Sequence, residues 1–289
     1  MAFQATVLAD SISDMTGSRL TTMEVTFPRF ILAEMNTHRV FSRNSASSRA
    51  IPTRRIFTEV RDNPFIPQEF GTYQPGMVSG EALSGVEAQQ ARDMWVQASR
   101  NAIRSAFPLV YGHHKDVDVE DFLAGGDIPA SDDTSVHKEF VNRLIEPFMW
   151  HTAIISSTEW ENFFTLRCAD DAQPEIRTIA RLMRTALEES TPQELDNEQW
   201  HLPLVSDKEA STMELADILN VSAGRCARVS YLSHHKDRDP ADDAALAEKL
   251  LVAKHMSPFE HQAKPVTSGE KGNFSGWAQY RQFVEQYGD

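Results

Sequence analysis

THRVFSRNSASSR, residues 37–49, gathers three arginines, a histidine, an asparagine and four serines without a single acid. Guanidinium groups at Arg39, Arg43 and Arg49 can grip phosphate or carboxylate oxygens in a fork. The side chains of Ser42, Asn44, Ser45, Ser47 and Ser48 can donate to phosphate oxygens or to the edge of a heterocycle. A solvated Ser-rich loop has the same composition. Val40 and Phe41 set the run apart from a flexible linker. A second stretch, LRCADDAQPEIR at 166–177, places Arg167 and Arg177 around a helix start whose free amides could receive an anion. The alternative there is an ordinary charged helix face, with Glu175 and Arg181 in solvent.

A third stretch, HMSPFEH at 255–261, carries His255, Ser257, Glu260 and His261. Its histidines are six apart and do not share a helical face as metal ligands would. With no HExxH and no Cys/His set, no metal site is expected. His113-His114 and His234-His235 lie in polar stretches and read as solvated. Cys226, in the Ala-rich GRCARVSY, reads as core. Cys168 follows Arg167, which could lower its pKa. Neither cysteine belongs to a CxxC pair, and a nucleophilic role is not expected of either.

The elements that must position these groups are helix-rich. Residues 3–9 and 20–27 alternate like strands. Pro28 then opens RFILAEMNTHRVF, of helical composition, and Glu34 sits one turn before Thr37. Residues 51–80 hold several prolines and glycines and read as a loop with short strands. Apolar spacing predicts helices over 85–107, 137–147, two within 157–191 broken near Ala169 to Pro174, 213–232 and 244–255. Pro174 suits a first helical position, with Asp171 as cap. The segment 112–135, with Gly125-Gly126, reads as a loop or lid. The tail from 262 is polar and then amphipathic. Strands and helices do not alternate as βαβ units. The expected architecture is therefore one α+β domain over 1–289 with a small mixed or antiparallel sheet.

The chain has 289 residues and a net charge of −14, which argues against a nucleic-acid partner. No run of 18 apolar residues and no signal-like N-terminus is present. Together with two unpaired cysteines this leads us to expect a cytoplasmic setting without membrane contact.

The three stretches, with Ala227-Arg228-Val229-Ser230-Tyr231, resemble the motifs of the flavin-dependent thymidylate synthases. That family carries Arg-His-Arg, seven residues, then Ser; here Thr37-His38-Arg39 is followed by Ser47, with Ser42, Asn44 and Arg49 in step. It also carries Ala-Arg-x-Ser-Tyr, a helix and His-x-Ser-Pro-Phe-Glu-His, and a Phe-x-x-Leu-Arg segment followed by Ala-Gln-x-Glu-Ile-Arg. Phe163 to Arg167 and Ala172 to Arg177 match the last of these. The order differs from the usual one, because the Ser-Pro-Phe-Glu-His segment follows the Arg-rich run instead of preceding it. A circular permutation is implied.

The resemblance implies FAD bound through His38, Arg39, Ser42, Asn44, Arg167, Ser230, His255, Ser257 and Glu260. It implies dUMP held by Glu34, Ser47, Arg49 and Arg177, with Arg177 orienting the pyrimidine. NADPH and 5,10-methylenetetrahydrofolate would be co-substrates, dTMP the product, and a homotetramer with shared sites the assembly. Departures are Thr37 for the first arginine, Ser45 for Glu or Gln, and Ala50 for Tyr. Ser156, Ser157 and Thr158 stand where an Asn-x-Arg segment is usual. These changes leave open a relative that methylates or hydroxymethylates another pyrimidine nucleotide, such as dCMP, or a flavin-binding homologue without turnover.

Overall fold

The computed structural model describes residues 2–112, 114, 116–129, 136–267 and 272–286. Two long strands, β1 (Gln4–Ser13) and β2 (Arg19–Pro28), form an antiparallel hairpin. A single helical turn, α1 (Leu32–Met35), leads into β3 (Ser42–Ser45). Helices α2 (Thr53–Asp62), α3 (Gly85–Tyr111), α4 (Val119–Leu123) and α5 (Lys138–Val141) follow. Then come β4 (Trp150–Ser157), α6 (Glu161–Arg167), α7 (Pro174–Glu189) and β5 (Gln193–Leu195). The C-terminal third holds α8 (Asp207–Thr212), α9 (Leu215–Arg228), α10 (Pro240–Val252), a small β6 (Ala263–Pro265)–β7 (Trp277–Gln279) pair and α11 (Tyr280–Gln286).

The main sheet has the order β3-β4-β2-β1-β5, antiparallel except for the β1–β5 pair. This is the expected α+β class with a small mixed sheet. Strand alternation divides β2 into two faces. Met23, Val25 and Phe27 point into an apolar core with Ile155 of β4, Phe163 of α6 and Ile176, Ile179 and Met183 of α7. Thr22 and Thr26 point the other way, bonding to Ser156 and Thr152 of β4. Asn44, His201 and His261 use that polar face. A separate core joins Phe57 of α2, Phe107 and Val110 of α3, Phe122 of α4 and Val141 of α5.

Several expected elements fold differently, each for a local reason. Residues 51–80 begin with α2, because Ile56, Phe57 and Val60 put an apolar stripe on the second core and Pro52 only precedes the helix. Helix α3 runs through Pro108 to Tyr111, since Phe107, Val110 and Tyr111 are buried in that core. The helix expected after Pro28 is a 3-10 turn (Arg29–Ile31) plus one α turn. The stretch 137–147 is one α turn continued as a 3-10 helix over Asn142–Phe148. Helix α7 starts at Pro174 as expected, yet its cap is Gln173 and makes no side-chain cap bond, so Asp171 is not the cap. Within 112–135, α4 packs Phe122 against Phe57 and Phe107; His113, Lys115 and residues 130–135 of that expectation lie outside the described residues. Among the described residues no helix is long and apolar enough to cross a membrane.

Helices α9 and α10 cross closely at Gly224, where a Cβ would lie 2.0 Å from the Asp243 carbonyl oxygen. Asp243 is buried and accepts hydrogen bonds from Arg225 Nε at 3.1 Å and from Arg228. This crossing fixes the end of α9, from which the chain turns toward Ser230. Gly224→Ala is expected to destabilise the fold by about 2 kcal/mol or more in urea unfolding. Overpacking of this kind costs roughly 1–3 kcal/mol and outweighs the gain of up to about 1 kcal/mol in helix propensity. An unchanged midpoint would show that α10 can shift freely.

Candidate functional site

The Ser/Asn-rich run is a sheet-edge strand whose side chains dock on turns contributed from far along the chain. β3 pairs with β4 on one side only, from Ser42↔Ser156 to Ser45↔Ala153. Ser42, Asn44 and Ala46 are buried, while Arg43, Ser45 and Ser47 are half-buried. Ser42 Oγ accepts from Gln279 Nε2 at 2.9 Å, and the same amide donates to the Glu260 carbonyl at 2.8 Å. The Ser47 amide donates to the Ser230 carbonyl at 3.0 Å. Thus Asn44 meets Ser257, Ser47 meets Ser230, and Ser42 is joined to Glu260 through the Gln279 amide. These contacts join the first and third stretches with the Ala-Arg-x-Ser-Tyr turn, a 3-10 helix over Val229–Tyr231.

Asn44 heads a buried hydrogen-bond chain across the polar face of the sheet. Its amide is best satisfied with nitrogen toward His261 Nε2 (3.2 Å) and the Ser257 carbonyl (3.0 Å). From His261 Nδ1 the chain continues to Ser156 Oγ (2.8 Å), Thr22 Oγ1 (2.6 Å), His201 Nε2 (2.7 Å), and from His201 Nδ1 to Ser11 Oγ (2.9 Å). Every link can donate in one direction, from Asn44 to Ser11, if both imidazoles are neutral with their protons on Nδ1. Burial favours that state, holding His261 and His201 each down to about 3.

His38 anchors the other end of the run. It is buried, lies 4.9 Å edge-on to Phe163 and stacks at 5.7 Å on Phe41. Arg167, the last residue of α6, donates Nε–H to His38 Nε2 at 2.9 Å and Nη2–H to Thr37 Oγ1 at 3.0 Å. An acceptor Nε2 puts the ring proton on Nδ1, which makes no bond within the described residues. Burial, then the charges of Arg167 and Arg43, holds His38 down to about 4, so the ring is neutral at pH 7. Burial also lowers Arg43, opposed by the nearby Glu260 carboxylate. Glu260 is itself paired with Arg281. Beside it opens a cleft of about 490 Å³, lined by Glu260, Gly272, Asn273, Gln279, Arg281 and Gln282.

Arg39, His255 and Ser257 are exposed on the flanks of this edge. Arg49 is exposed and pairs with Glu139 at 3.1 Å; such a surface pair contributes little and exchanges readily. Glu34 is half-buried, and its Oε2 has no hydrogen-bond partner. Arg177 does not join the cluster. It bonds to the Asp170 carbonyl and lines a different cleft, of about 550 Å³, with Phe30, Phe70, Trp95 and Glu175. The arginine that meets the Thr37–His38 end is Arg167.

Sequence reasoning missed Thr22, Ser156, His201, Gln279 and Arg281, because β4 was not recognised and nothing tied the tail to the run. Of the two histidines expected in solvent, His235 is exposed as expected and His234 is not. His234 is buried, and both rings bond to Glu24 of β2. Cys226 is buried, and burial pushes its thiol far up; burial also raises Cys168. Neither has the environment of a thiolate nucleophile.

No curated protein matches the chain. Among solved structures, thymidylate synthase X of Helicobacter pylori with FAD and dUMP is similar at 16% identity and a TM-score of 0.36, over 58% of this chain and 67% of that one. The UMP/dUMP methylase PolB of Streptomyces cacaoi with 5-Br dUMP is similar at 15% identity and a TM-score of 0.41, over 65% of this chain and 91% of that one. The family model described as thymidylate synthase complementing protein matches residues 19–193, which hold β2, the Arg-rich run, β4 and both arginines of the second stretch. Since that match covers more than half of the sequence, the chain belongs to the thymidylate synthase complementing protein family.

Proposed function

We propose that the protein is a flavin-dependent thymidylate synthase, converting dUMP to dTMP with methylenetetrahydrofolate and NADPH. The observation that carries this reading is the β3 edge, where the Arg-rich run, the Ser230 turn and the Ser257–Glu260 turn meet. The donor set fits a planar, polyanionic nucleotide. His38 offers a neutral Nδ1–H, the next residue Arg39 is exposed, Ser257 is exposed on the turn that meets Asn44 with His255 exposed just before it, and the Glu260 cleft opens at one end. Bound FAD would supply the redox chemistry of the one-carbon transfer.

The residues of this chain then divide their work. Ser42 and Asn44 are already bonded inside the protein, so they hold the Glu260 and Ser257 turns in place instead of gripping ligand. Arg167 orients His38. Arg39 and the exchangeable Arg49 suit phosphate oxygens. Arg177 faces a separate cleft, so its role toward the pyrimidine requires a site shared between subunits, as in a homotetramer. The motif order supports a circular permutation: the 227–261 stretches lie outside the family match yet pack on β3 within it.

A second reading is a relative acting on dCMP. The unpartnered Glu34 carboxylate favours it, since a carboxylate suits an exocyclic amino donor. The purified protein is expected to be yellow or to take up FAD, and to release label from C5-tritiated dUMP with the folate and NADPH present. Products identified by mass separate the two readings. A folded protein that binds no FAD sinks both. The Cys168→Ser, Cys226→Ala double variant is expected to keep most activity; abolished turnover in that variant, still folded and FAD-loaded, would point to a protein nucleophile.

A further inference from the structure

Outside the site, β2 and the turn after Tyr231 bring together two histidines and a carboxylate. Glu24 Oε2 lies 2.9 Å from His234 Nε2 and in contact with His235 Nε2. The three ligand atoms all fall within 4.8 Å of one another. The two rings belong to consecutive residues, yet their centroids are only 4.3 Å apart and both Nε2 atoms converge on one oxygen. The turn is locked. Leu232 adopts the left-handed conformation at φ 51°, the Ser233 amide donates to the Arg228 carbonyl at 3.2 Å, and Arg238 donates to the Ser233 carbonyl at 2.8 Å.

We propose that Glu24, His234 and His235 form a binding site for a single divalent transition-metal ion of the zinc class, clamping the turn after Ser230 onto β2. Two histidines and a glutamate are a zinc ligand set that leaves one tetrahedral position open. The site is inside the fold but reachable: the side chain of His234 is 5% exposed, that of Glu24 15% and that of His235 60%. Solvent can therefore supply the fourth ligand from the His235 side.

The alternative is a plain hydrogen-bonded cluster, and the geometry weighs against it. Without an ion, two Nε2–H donors crowd one carboxylate oxygen. With an ion, both Nε2 lone pairs point at the metal and the ring protons sit on Nδ1, the tautomer usual for such ligands. Nothing in this inference depends on the reading of the catalytic site. It does connect to it structurally. Glu24 pairs with Ile154, and Ile154 pairs with Asn44, so the three lie in one row across the sheet. His234 is four residues from Ser230, whose carbonyl holds Ser47.

The test uses the full, tag-free chain stripped with chelator and titrated calorimetrically with Zn²⁺. The expected result is saturation at one ion per chain and a raised Tm. Co²⁺ at the same site is expected to give the visible absorption of a four-coordinate ion. His235→Ala, an exposed position, is expected to weaken Zn²⁺ binding by about 100-fold or more, beyond the roughly 10-fold to 100-fold cost of losing a supporting group. Glu24→Gln, which keeps the size and a hydrogen-bond acceptor, tests the carboxylate, with circular dichroism confirming the fold of both variants. Absence of stoichiometric Zn²⁺ binding by the wild-type chain overturns the proposal. So does binding that both folded variants retain at wild-type affinity.

Discussion

Arg167→Ala is expected to lower kcat/KM for dUMP by about 100-fold or more while the protein stays folded, a loss of the size seen when one preorganised donor leaves an active site. Arg167 is half-exposed at the end of α6 and carries little of the core. Its work is directional. One face of the guanidinium fork holds His38 at 2.9 Å, and the other holds Thr37 at 3.0 Å. A lysine offers a point charge and cannot span both, so Arg167→Lys is expected to recover little. The pH profile separates positioning from bulk damage. Burial is the first cause of His38's low value of about 4, and the Arg167 charge is the second. Removing that charge moves His38 back toward its ordinary 6.5, so the acidic limb of kcat/KM shifts upward in pH. Unchanged kcat/KM with an unmoved limb would falsify the assignment of Arg167 as the positioning residue for His38.

Acid is expected to unfold the protein at a pH where most carboxylates are still ionised. His38 is held down to about 4, and His151, His201 and His261 each to about 3, burial being the first cause in every case. A depressed histidine is more readily protonated in the unfolded chain. Its contribution to stability is present above pH 6.5 and is lost as pH falls through 6.5 toward 3–4. Each such proton steepens the decline by about 1.4 kcal/mol per pH unit. Four together approach about 5 kcal/mol per pH unit near pH 5.5, against a total stability of roughly 5–15 kcal/mol.

Urea unfolding at intervals between pH 7 and 5 reads this slope before ordinary carboxylates titrate. His151→Leu tests one contributor. His151 accepts from Arg29 at 3.1 Å, and its Nε2 is buried without a partner. Arg29 keeps its ion pair with Glu146 at 2.9 Å in that variant. The slope should fall by about a quarter. A stability flat from pH 7 to 5 would show that these rings gain protons freely in the fold.

What the sequence made legible follows from how local each signal is. The strand alternation of β2 and the apolar spacing of α3, α7 and α9 are properties of neighbouring residues, and they appeared in the fold where expected. Motif spacing marked the Arg-rich run, Ser230 and Glu260, which meet at β3, and Arg167, which meets the run at Thr37 and His38. Strand β4 escaped because it is buried on both faces and reads as HTAIISS beside a proline, without alternation. Losing β4 also hid Ser156, and with it the link from Asn44 to His201. The burial of His234 was missed because a polar stretch gives no sign of a carboxylate waiting 210 residues earlier on β2. Arg177 matched a motif, but the loop it bonds to turns it toward another cleft.

The edge position of β3 has a consequence for how the chain is made. Ser45 and Ser230 are separated by 185 positions of sequence. At a ribosomal pace of about 5–20 residues per second, β3 waits roughly 10–40 s for the turns that cover it. For the first 112 of those positions β4 is not yet made, and once β4 does pair with it the other side of β3 still presents unpaired amides and carbonyls. Such a strand is a template for pairing with a second nascent chain. Slow translation near the 3′ end of the message should therefore lower the yield of soluble protein, with little effect on the specific activity of the molecules that escape.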